Sequence, residues 1–173
     1  MAERQPSKLE TRVQVPSPAP ITYQVEKFSE CLLEGRTLAA AHWKEFGNRQ
    51  DIRDFDMDYN KYLAAELQGK LMMSTARRGD MMVGYLAMFV IQDTHASAGK
   101  MAESAFFYTS PHPMRGIILR GMIRCAVRYL LDNGVNYIRF RHRLKQTARP
   151  ILENLGFVMD ELSYSLDVSK FRG

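Results

Sequence analysis

Arg115 and Gly116 stand where a predicted strand passes through a proline-bounded loop into a predicted helix. The segment 102–133 reads AESAFFYTSPHPMRGIILRGMIRCAVRYLLDN. The start of a helix presents unpaired backbone N–H groups and the positive end of the helix dipole at one spot. That spot suits a phosphate, and guanidinium groups beside it add charge-assisted hydrogen bonds. The sequence therefore predicts an anion site in the loop 113–118, reinforced by Arg115 and Arg120.

His112 is the residue of this loop best suited to moving a proton. It lies between two prolines, which restrict the chain, and imidazole titrates near neutral pH. Its other interpretation is an ordinary loop histidine. No pattern typical of a nucleophilic triad or a zinc site occurs, and the aspartates of 51–58 lack the glycine and the final glutamate of a calcium loop. The sequence thus predicts proton transfer without a metal site.

The helix after Gly116 has an apolar face wide enough to lie on a sheet, because residues four apart form two adjacent ridges. These ridges are Ile118, Met122, Ala126, Leu130 and Leu119, Ile123, Val127, Leu131. The helix joins a strand at 102–110 to a strand predicted at 136–144, and a strand-helix-strand crossover makes those two strands parallel. Arginines at 120, 124 and 128 form a stripe outside the apolar face.

The other predicted elements surround this unit. Strands are predicted at 21–28 and 161–168, helices from Ser29 to Phe46 and from Asp56 or Asp58 to Gly69, and a hairpin at 70–92. The second arm of the hairpin is apolar throughout, which is typical of a central strand, and Gly84 within it indicates a bulge or close packing. The fold class predicted is α/β (α+β), a mixed and mostly antiparallel sheet with helices on both faces.

A length of 173 residues fits a single domain, predicted at 21–173. Residues 1–20 carry four prolines among polar residues and no period, so they are predicted to form an extended arm. Extended proline-rich chain loses little entropy on docking, which favours contact with a partner protein or a second copy of the chain.

Charge and composition restrict the partners and the compartment. The formal charge of +5 and the pI near 9.3 favour coenzyme phosphates, nucleic acid or an acidic protein surface. No apolar run approaches the ~20 residues of a membrane span, and the first residues do not resemble a secretion signal. The two cysteines make a disulfide framework improbable. A cytoplasmic protein without membrane contact is expected.

Four stretches together resemble the GNAT N-acetyltransferases, and specifically the divergent branch often carried by bacteriophages. They are the strand-Pro-Arg-Gly-helix unit of 102–133, ARPILENLGF at 148–157, AHWKE at 41–45 and TARRGDMMVGY at 75–85. The resemblance spans roughly 21–168. It implies a GNAT-like sheet whose two parallel central strands splay apart to admit acetyl-CoA.

The resemblance implies transfer of an acetyl group from acetyl-CoA to an amine on a small molecule or a protein. The coenzyme would be held by Tyr108, Thr109, Arg115, Gly116, Ile117, Ile118 and Arg120. Glu103, where the family often places a carboxylate, and His112 are the candidate bases. Tyr108 and Tyr164 are the candidate acids, because Leu152 stands where the family often has the tyrosine that protonates the leaving thiolate. The helix around His42 and Trp43 would border the acceptor groove, although both residues also suit a structural role.

Ile118 and Arg120 occupy the positions of the two glycines in the family's phosphate loop. This departure favours an alternative function, a catalytically inactive protein of the same fold that acts as a virion or host-interaction subunit through its basic surface and residues 1–20. The compartment would then be the host cytoplasm or the virion. Nucleic-acid binding is a third interpretation, for which the sequence contains no recognition motif.

Overall fold

The computed structural model describes residues 19–46, 55–92, 99–142 and 148–160. The strands are β1 (Ile21–Glu26), β2 (Leu71–Arg78), β3 (Met81–Gln92), β4 (Lys100–Thr109) and β5 (Tyr137–Arg139). The helices are α1 (Phe28–Phe46), α2 (Tyr59–Leu67), α3 (Arg115–Asp132) and α4 (Arg149–Asn154). Within these ranges no helix combines the length and the apolar character needed to cross a bilayer. Most of the predicted arm, the final predicted strand and Tyr164 lie outside the described residues.

The five strands form one sheet in the order β1-β2-β3-β4-β5. Neighbouring strands are antiparallel except for β4 and β5, which are parallel. Helix α3 packs on one face of the sheet, and α1 and α2 pack on the other. The predicted fold class is therefore confirmed, including the helices on both faces.

The two parallel strands diverge soon after they meet. Pairing runs only from Met101 opposite Tyr137 to Glu103 opposite Arg139, whereas β4 continues to Thr109. Against β3, Ser104 pairs with Met88 and Phe106 with Ala87, so Ala105 is an extra residue that forms a bulge. The bulge turns β4 away, and the strand predicted at 136–144 is consequently only three residues long.

Two apolar cores fill the space between the sheet and its helices. Residues Ile118, Met122, Ala126 and Leu130 of α3 are fully or almost fully buried against the sheet, as the first predicted ridge requires. The prediction for the second ridge is wrong at its last residue, because Leu131 is 68% exposed. The helix ends one residue later, at Asp132, and Gly134 turns the chain with a positive φ of 75°. Leu131 therefore lies beyond the edge of the sheet.

Gly84 combines both of the roles that the sequence indicated. The register between β2 and β3 shifts beside it, since Ala76 pairs with Gly84 and Arg77 with Met82. A β-carbon at Gly84 would lie 3.0 Å from the backbone oxygen of Tyr108 and 3.2 Å from the side chain of Met122. Glycine at this position therefore lets β3, β4 and α3 approach each other beneath the end of β4.

The N-terminus of α1 is capped by a residue of the next helix. The carboxylate of Glu66 on α2 accepts hydrogen bonds from the backbone N–H groups of Phe28 and Ser29, the second at 3.2 Å. The sequence predicts a helix that starts at Ser29, but the helix begins at Phe28, so Ser29 lies inside it and does not act as the cap. A carboxylate satisfies helix N–H groups and interacts well with the helix dipole, so it takes the place of a local cap.

Glu66→Ala is expected to lower the free energy of unfolding by about 1–2 kcal/mol, the usual loss when a helix cap is removed. Urea unfolding followed by circular dichroism measures it. Glu153→Ala is the matched control, because Glu153 is exposed and forms only an i,i+4 pair with Arg149. A loss no larger than that of the control would show that water replaces the cap.

Candidate functional site

The divergence of β4 from β5 leaves a slot between the two strands. The side chain of Ser104 bridges the two chain segments where the slot begins. The Ser104 hydroxyl accepts a hydrogen bond from the backbone N–H of Arg141 at 2.7 Å and donates one to its carbonyl oxygen at 3.1 Å. The hydroxyl of Ser104 thus takes the place of backbone hydrogen bonds at the point where the pairing of β4 with β5 has stopped. From Ala105 to Thr109, the side of β4 that faces away from β3 has no strand partner within the described part of the chain. Such a free backbone edge can bind an extended amide-containing ligand.

Tyr108 lies near the end of β4 inside a cluster of rings. It is 2% exposed, and the imidazole of His42 stacks on it with ring centroids 5.1 Å apart and planes at 14°. His42 Nδ1 is 2.9 Å from the hydroxyl of Tyr85 on β3, and the ring of Phe46 meets Tyr108 edge-on. These contacts fix the Tyr108 ring between α1 and the sheet.

Glu45 and Arg115 join the end of α1 to the start of α3 beside this cluster. Arg115 Nη1 donates to Glu45 Oε1 at 2.6 Å, and Nη2 donates to Oε2 at 3.1 Å. The same guanidinium donates from Nε to Thr109 Oγ1 at 3.2 Å and from Nη2 to Thr109 O at 2.8 Å. The Tyr108 hydroxyl donates to Glu45 Oε2 at 3.0 Å. Arg115 is therefore held in one orientation over the end of β4.

The charges of this group are set by its contacts. Hydrogen bonds from Arg115 lower the pKa of the Glu45 carboxyl, with a smaller contribution from Tyr108, so Glu45 is ionised at neutral pH. Burial raises the pKa of Tyr108, and its hydrogen bond to Glu45 raises it further. Tyr108 is consequently a protonated phenol over the physiological range. No group of residues suited to hold a metal ion occurs within the described ranges.

The start of α3 lies next to Arg115. The N–H of Met114 donates to His112 Nδ1 and the N–H of Arg115 to His112 O, both at 3.0 Å, and the bonding within the helix begins with Ile118 donating to Met114 O. The N–H groups of Gly116 and Ile117 precede this bond, and both residues are exposed. Ile118 is fully buried, so its side chain points into the core and away from the exposed helix start.

The predicted proton carriers are placed in different surroundings. Glu103 lies on the last paired rung of β4 and β5, where it forms an ion pair with Arg141. His112 lies in the loop, with Nε2 2.9 Å from Nη2 of Arg78. Both ring nitrogens of His112 thus face donors, and a neutral imidazole can accept from only one of them. Of the two predicted acids, Tyr108 and Tyr164, only Tyr108 lies among the residues that the structure describes.

The structure groups Tyr108, Thr109 and Arg115 tightly and places Gly116 and Ile117 beside them. Arg120 lies exposed on α3, one turn beyond the helix start. Glu45 and Ser104 were not among the predicted site residues. The spacing of His42, Glu45 and Phe46 on one helical face could have indicated Glu45. No local pattern distinguishes Ser104, because its role depends on the partner strand.

The sheet order, the divergent parallel strands and the helix that follows β4 define the fold of the GNAT-like N-acetyltransferases. Solved structures with this fold match most of the chain. A ribosomal-protein-alanine N-acetyltransferase from Brucella melitensis biovar Abortus has 13% identity and a TM-score of 0.65, covering 85% of this chain and 98% of its own. A predicted acetyltransferase from Clostridium acetobutylicum, solved with acetyl-CoA, has 14% identity and a TM-score of 0.66, covering 89% and 100%.

An aminoglycoside acetyltransferase from an uncultured soil metagenomic sample has 15% identity and a TM-score of 0.67, covering 86% of this chain and 98% of its own. No protein-family model matches the sequence, and no curated protein matches it significantly. At these identities the likeness shows a shared fold, and the activity must be argued from the site.

Proposed function

We propose that the protein is an acetyl-CoA-dependent N-acetyltransferase that acts on an amine-bearing small molecule. The observation that carries this proposal is the slot between β4 and β5, which opens beside a buried, protonated tyrosine and the start of α3. Acyl transfer needs an oriented acyl donor and proton transfer at the attacking and the leaving atoms. The fold shared with acetyltransferases, one of them solved with acetyl-CoA, supports the same reaction class.

The residues around the slot fit a coenzyme made of an amide-containing arm and a pyrophosphate. The free edge of β4 from Ala105 to Thr109 would bind the arm, and the N–H groups of Gly116 and Ile117 would bind the pyrophosphate. Because Ile118 is turned into the core, its β-branched side chain does not narrow this approach. Arg115 and the exposed Arg120 would add positive charge.

Acetyl-CoA supplies an acetyl group activated as a thioester. The chain must then remove a proton from the attacking amine nitrogen and deliver one to the departing sulfur. We assign delivery to the Tyr108 hydroxyl and removal to Glu103. Glu103 and Tyr108 are five positions apart, about 16 Å at ~3.3 Å per residue, so the amine proton would reach Glu103 through a chain of water molecules. His112 is the second candidate base.

The phage-type branch and a cytoplasmic location are part of this proposal. The first rests on the sequence resemblance and the second on the low cysteine content. A second function is supported by Arg115, whose guanidinium is already bound by Glu45 and Thr109. If that pairing persists, the protein is an inactive GNAT-fold subunit that contacts virion or host proteins through its basic surface and residues 1–20. Binding of the coenzyme distinguishes the two functions.

Calorimetric titration of the full-length protein with acetyl-CoA and with CoA is the deciding experiment. Arg115→Ala is expected to weaken CoA binding about 10- to 100-fold, as the loss of a charge-assisted phosphate contact predicts. Glu45→Gln should strengthen binding, because it releases the guanidinium from a competing carboxylate. Arg124→Ala is the control, since Arg124 is exposed farther along the same helix.

If wild-type protein binds neither acetyl-CoA nor CoA, the enzymatic proposal is wrong and the inactive subunit is favoured. If Arg115→Ala binds CoA as wild type does, Arg115 is a positioning residue for Glu45 and has no role in phosphate binding. Glu103→Gln and His112→Gln then identify the base, because only the true base lowers turnover while CoA affinity stays constant.

A further inference from the structure

A cavity of about 80 Å³ lies between α1 and the face of the sheet that carries the Tyr108 cluster. Its lining includes Ala39, His42, Trp43 and Phe46 from α1, and Tyr85 and Phe106 from the sheet. Phe106 directly follows the bulge residue at which β5 has already separated from β4. The cavity therefore borders the proposed slot on the side of α1.

The lining of this cavity is aromatic and carries no carboxylate, lysine or arginine among its described residues. Burial strongly raises the pKa of Tyr85, which therefore stays a neutral phenol within 2.9 Å of His42 Nδ1. Three described acids adjoin lining residues in the chain. Glu45 is neutralised by Arg115 and also accepts from Tyr108, and Asp56 and Asp58 are exposed to solvent on either side of Met57. Among the described lining residues an ammonium group would thus find no counterion, whereas an apolar group would bury its surface there.

Ring contacts hold the cavity open in its present shape. Tyr85 and Phe106 meet edge-to-face with centroids 5.5 Å apart and planes at 89°, and Trp43 packs on Phe55 at 6.2 Å. His42 is also supported from outside the cavity, because it stacks on Tyr108. A volume of about 80 Å³ is roughly half of the ~150 Å³ that accommodates benzene in an apolar protein cavity. The space suits an alkyl group of about three to five carbons better than a six-membered ring.

We propose that this cavity binds the apolar body of the acetyl acceptor, and that the acceptor is a primary amine on a short alkyl group. This inference rests on the proposed acetyltransferase function. The alkyl group lies against Phe106 and Trp43, and the amine points out toward the slot. An amine close to low-dielectric surroundings with no counterion loses its proton more easily, which favours the nucleophilic form. A polyhydroxylated amino sugar would leave its hydroxyl groups unpaired in such a cavity.

Trp43 is the single tryptophan of the chain and lines the cavity, so its fluorescence reports occupancy without any coenzyme. The full-length protein is titrated with isobutylamine, ethanolamine and benzylamine, which carry the same charge. A saturable change with isobutylamine is expected, with ethanolamine at least tenfold weaker and benzylamine also weaker. Equal affinity for isobutylamine and ethanolamine overturns the apolar site, and tighter binding of benzylamine overturns the size argument.

Ala39→Leu fills the cavity and should weaken isobutylamine binding at least tenfold. Ala40→Leu is the matched control, because Ala40 is the next residue of α1 and is exposed. Thermal unfolding checks that both variants fold, and Ala39→Val provides a smaller filling if Ala39→Leu does not. Unchanged isobutylamine affinity in a folded Ala39 variant overturns the proposal.

Separate titration with acetyl-CoA keeps this inference distinct from the proposed function. Protein that binds acetyl-CoA but not isobutylamine overturns the acceptor site alone. Protein that binds isobutylamine but neither acetyl-CoA nor CoA overturns the acetyltransferase function and the acceptor role, and leaves only a site for small apolar amines.

Discussion

Arg77→Met is expected to lower the free energy of unfolding by about 2–4 kcal/mol, somewhat less than removal of one partner from a fully buried ion pair, because this pair is partly exposed. Arg77 lies on β2 with only 16% of its side chain exposed. Its Nε and Nη2 donate to the two oxygens of Glu26 on β1 at 2.9 and 3.0 Å, and Nη1 donates to Glu34 of α1 at 3.0 Å. Glu34 in turn accepts from the N–H of Met82. Without the guanidinium, the partly buried carboxylate of Glu26 loses its ion pair and keeps the hydrogen bond from Thr75.

Urea unfolding at pH 7 measures this loss, and Arg149→Met is the control. Arg149 pairs with Glu153 at the surface, where solvent screening leaves the same kind of contact with little effect on stability. The double variant Arg77→Met with Glu26→Gln should recover part of the lost stability, because it removes the stranded charge. If the double variant is less stable than Arg77→Met alone, the burial of an unpaired carboxylate is not the cause.

The same network should make the stability depend on pH in a defined direction. Burial acts to raise the pKa of Glu26, but hydrogen bonds from Arg77 and Thr75 outweigh it and the pKa lies below the ordinary value of 4.5. A depressed carboxyl pKa contributes stability above the unfolded value and loses it as the pH falls through the folded value. Wild type should therefore lose stability below about pH 4.5 more steeply than Arg77→Met. Unfolding midpoints measured from pH 7 to pH 3 test this, and parallel curves would contradict it.

Tyr108→Phe is expected to lower kcat about 10²- to 10⁴-fold while the affinity for CoA stays within twofold, because a positioned general acid contributes that much to rate. Tyr108 is 2% exposed and donates its only hydroxyl proton to Glu45 at 3.0 Å in the free protein. Since burial and Glu45 both raise its pKa above the ordinary value of 10.0, the phenol stays protonated. A rate that depends on this acid should decline only when the pH passes above about 10.

Steady-state kinetics with acetyl-CoA and isobutylamine, together with CoA calorimetry, separate chemistry from binding. Tyr129→Phe is the matched control, because Tyr129 is 41% exposed on α3 and lies outside the ring cluster. A kcat for Tyr108→Phe within twofold of wild type would remove Tyr108 from the reaction, and Tyr164 would become the remaining predicted acid. A joint loss of kcat and CoA binding would instead assign Tyr108 to the shape of the site.

Local sequence signals were sufficient for most of the fold. The Arg-Arg-Gly-Asp turn between β2 and β3, the Asp58 cap of α2 and the start of α3 at Arg115 all follow from residues adjacent in the chain. The diverging strands followed from the crossover topology and from the resemblance. Each of these features is determined by residues in one element or in two elements that follow each other in the chain.

The features that the sequence did not predict all join distant residues. Glu66 caps α1 from 38 residues away, and Glu45 meets Arg115 across 70 residues. The carboxylate of Glu45 has no local feature that predicts this partner. Strand β5 ends early because the bulge at Ala105 in β4 removes its partner, and that bulge is visible only in the pairing with β3. Periodicity predicts which face a residue occupies, but not which long-range partner it meets there.

The bond between Glu45 and Arg115 also has a consequence for how the protein opens. It connects α1 and α3, which lie on opposite faces of the sheet, at the end of β4. We expect segments joined by such a contact to open together in hydrogen exchange. The backbone amides at the end of α1 and at the start of α3 should therefore exchange with a common opening free energy. In Glu45→Gln the backbone amides of the two helix ends should exchange with different opening free energies. The difference would show where α1 and α3, on the two faces of the sheet, open separately.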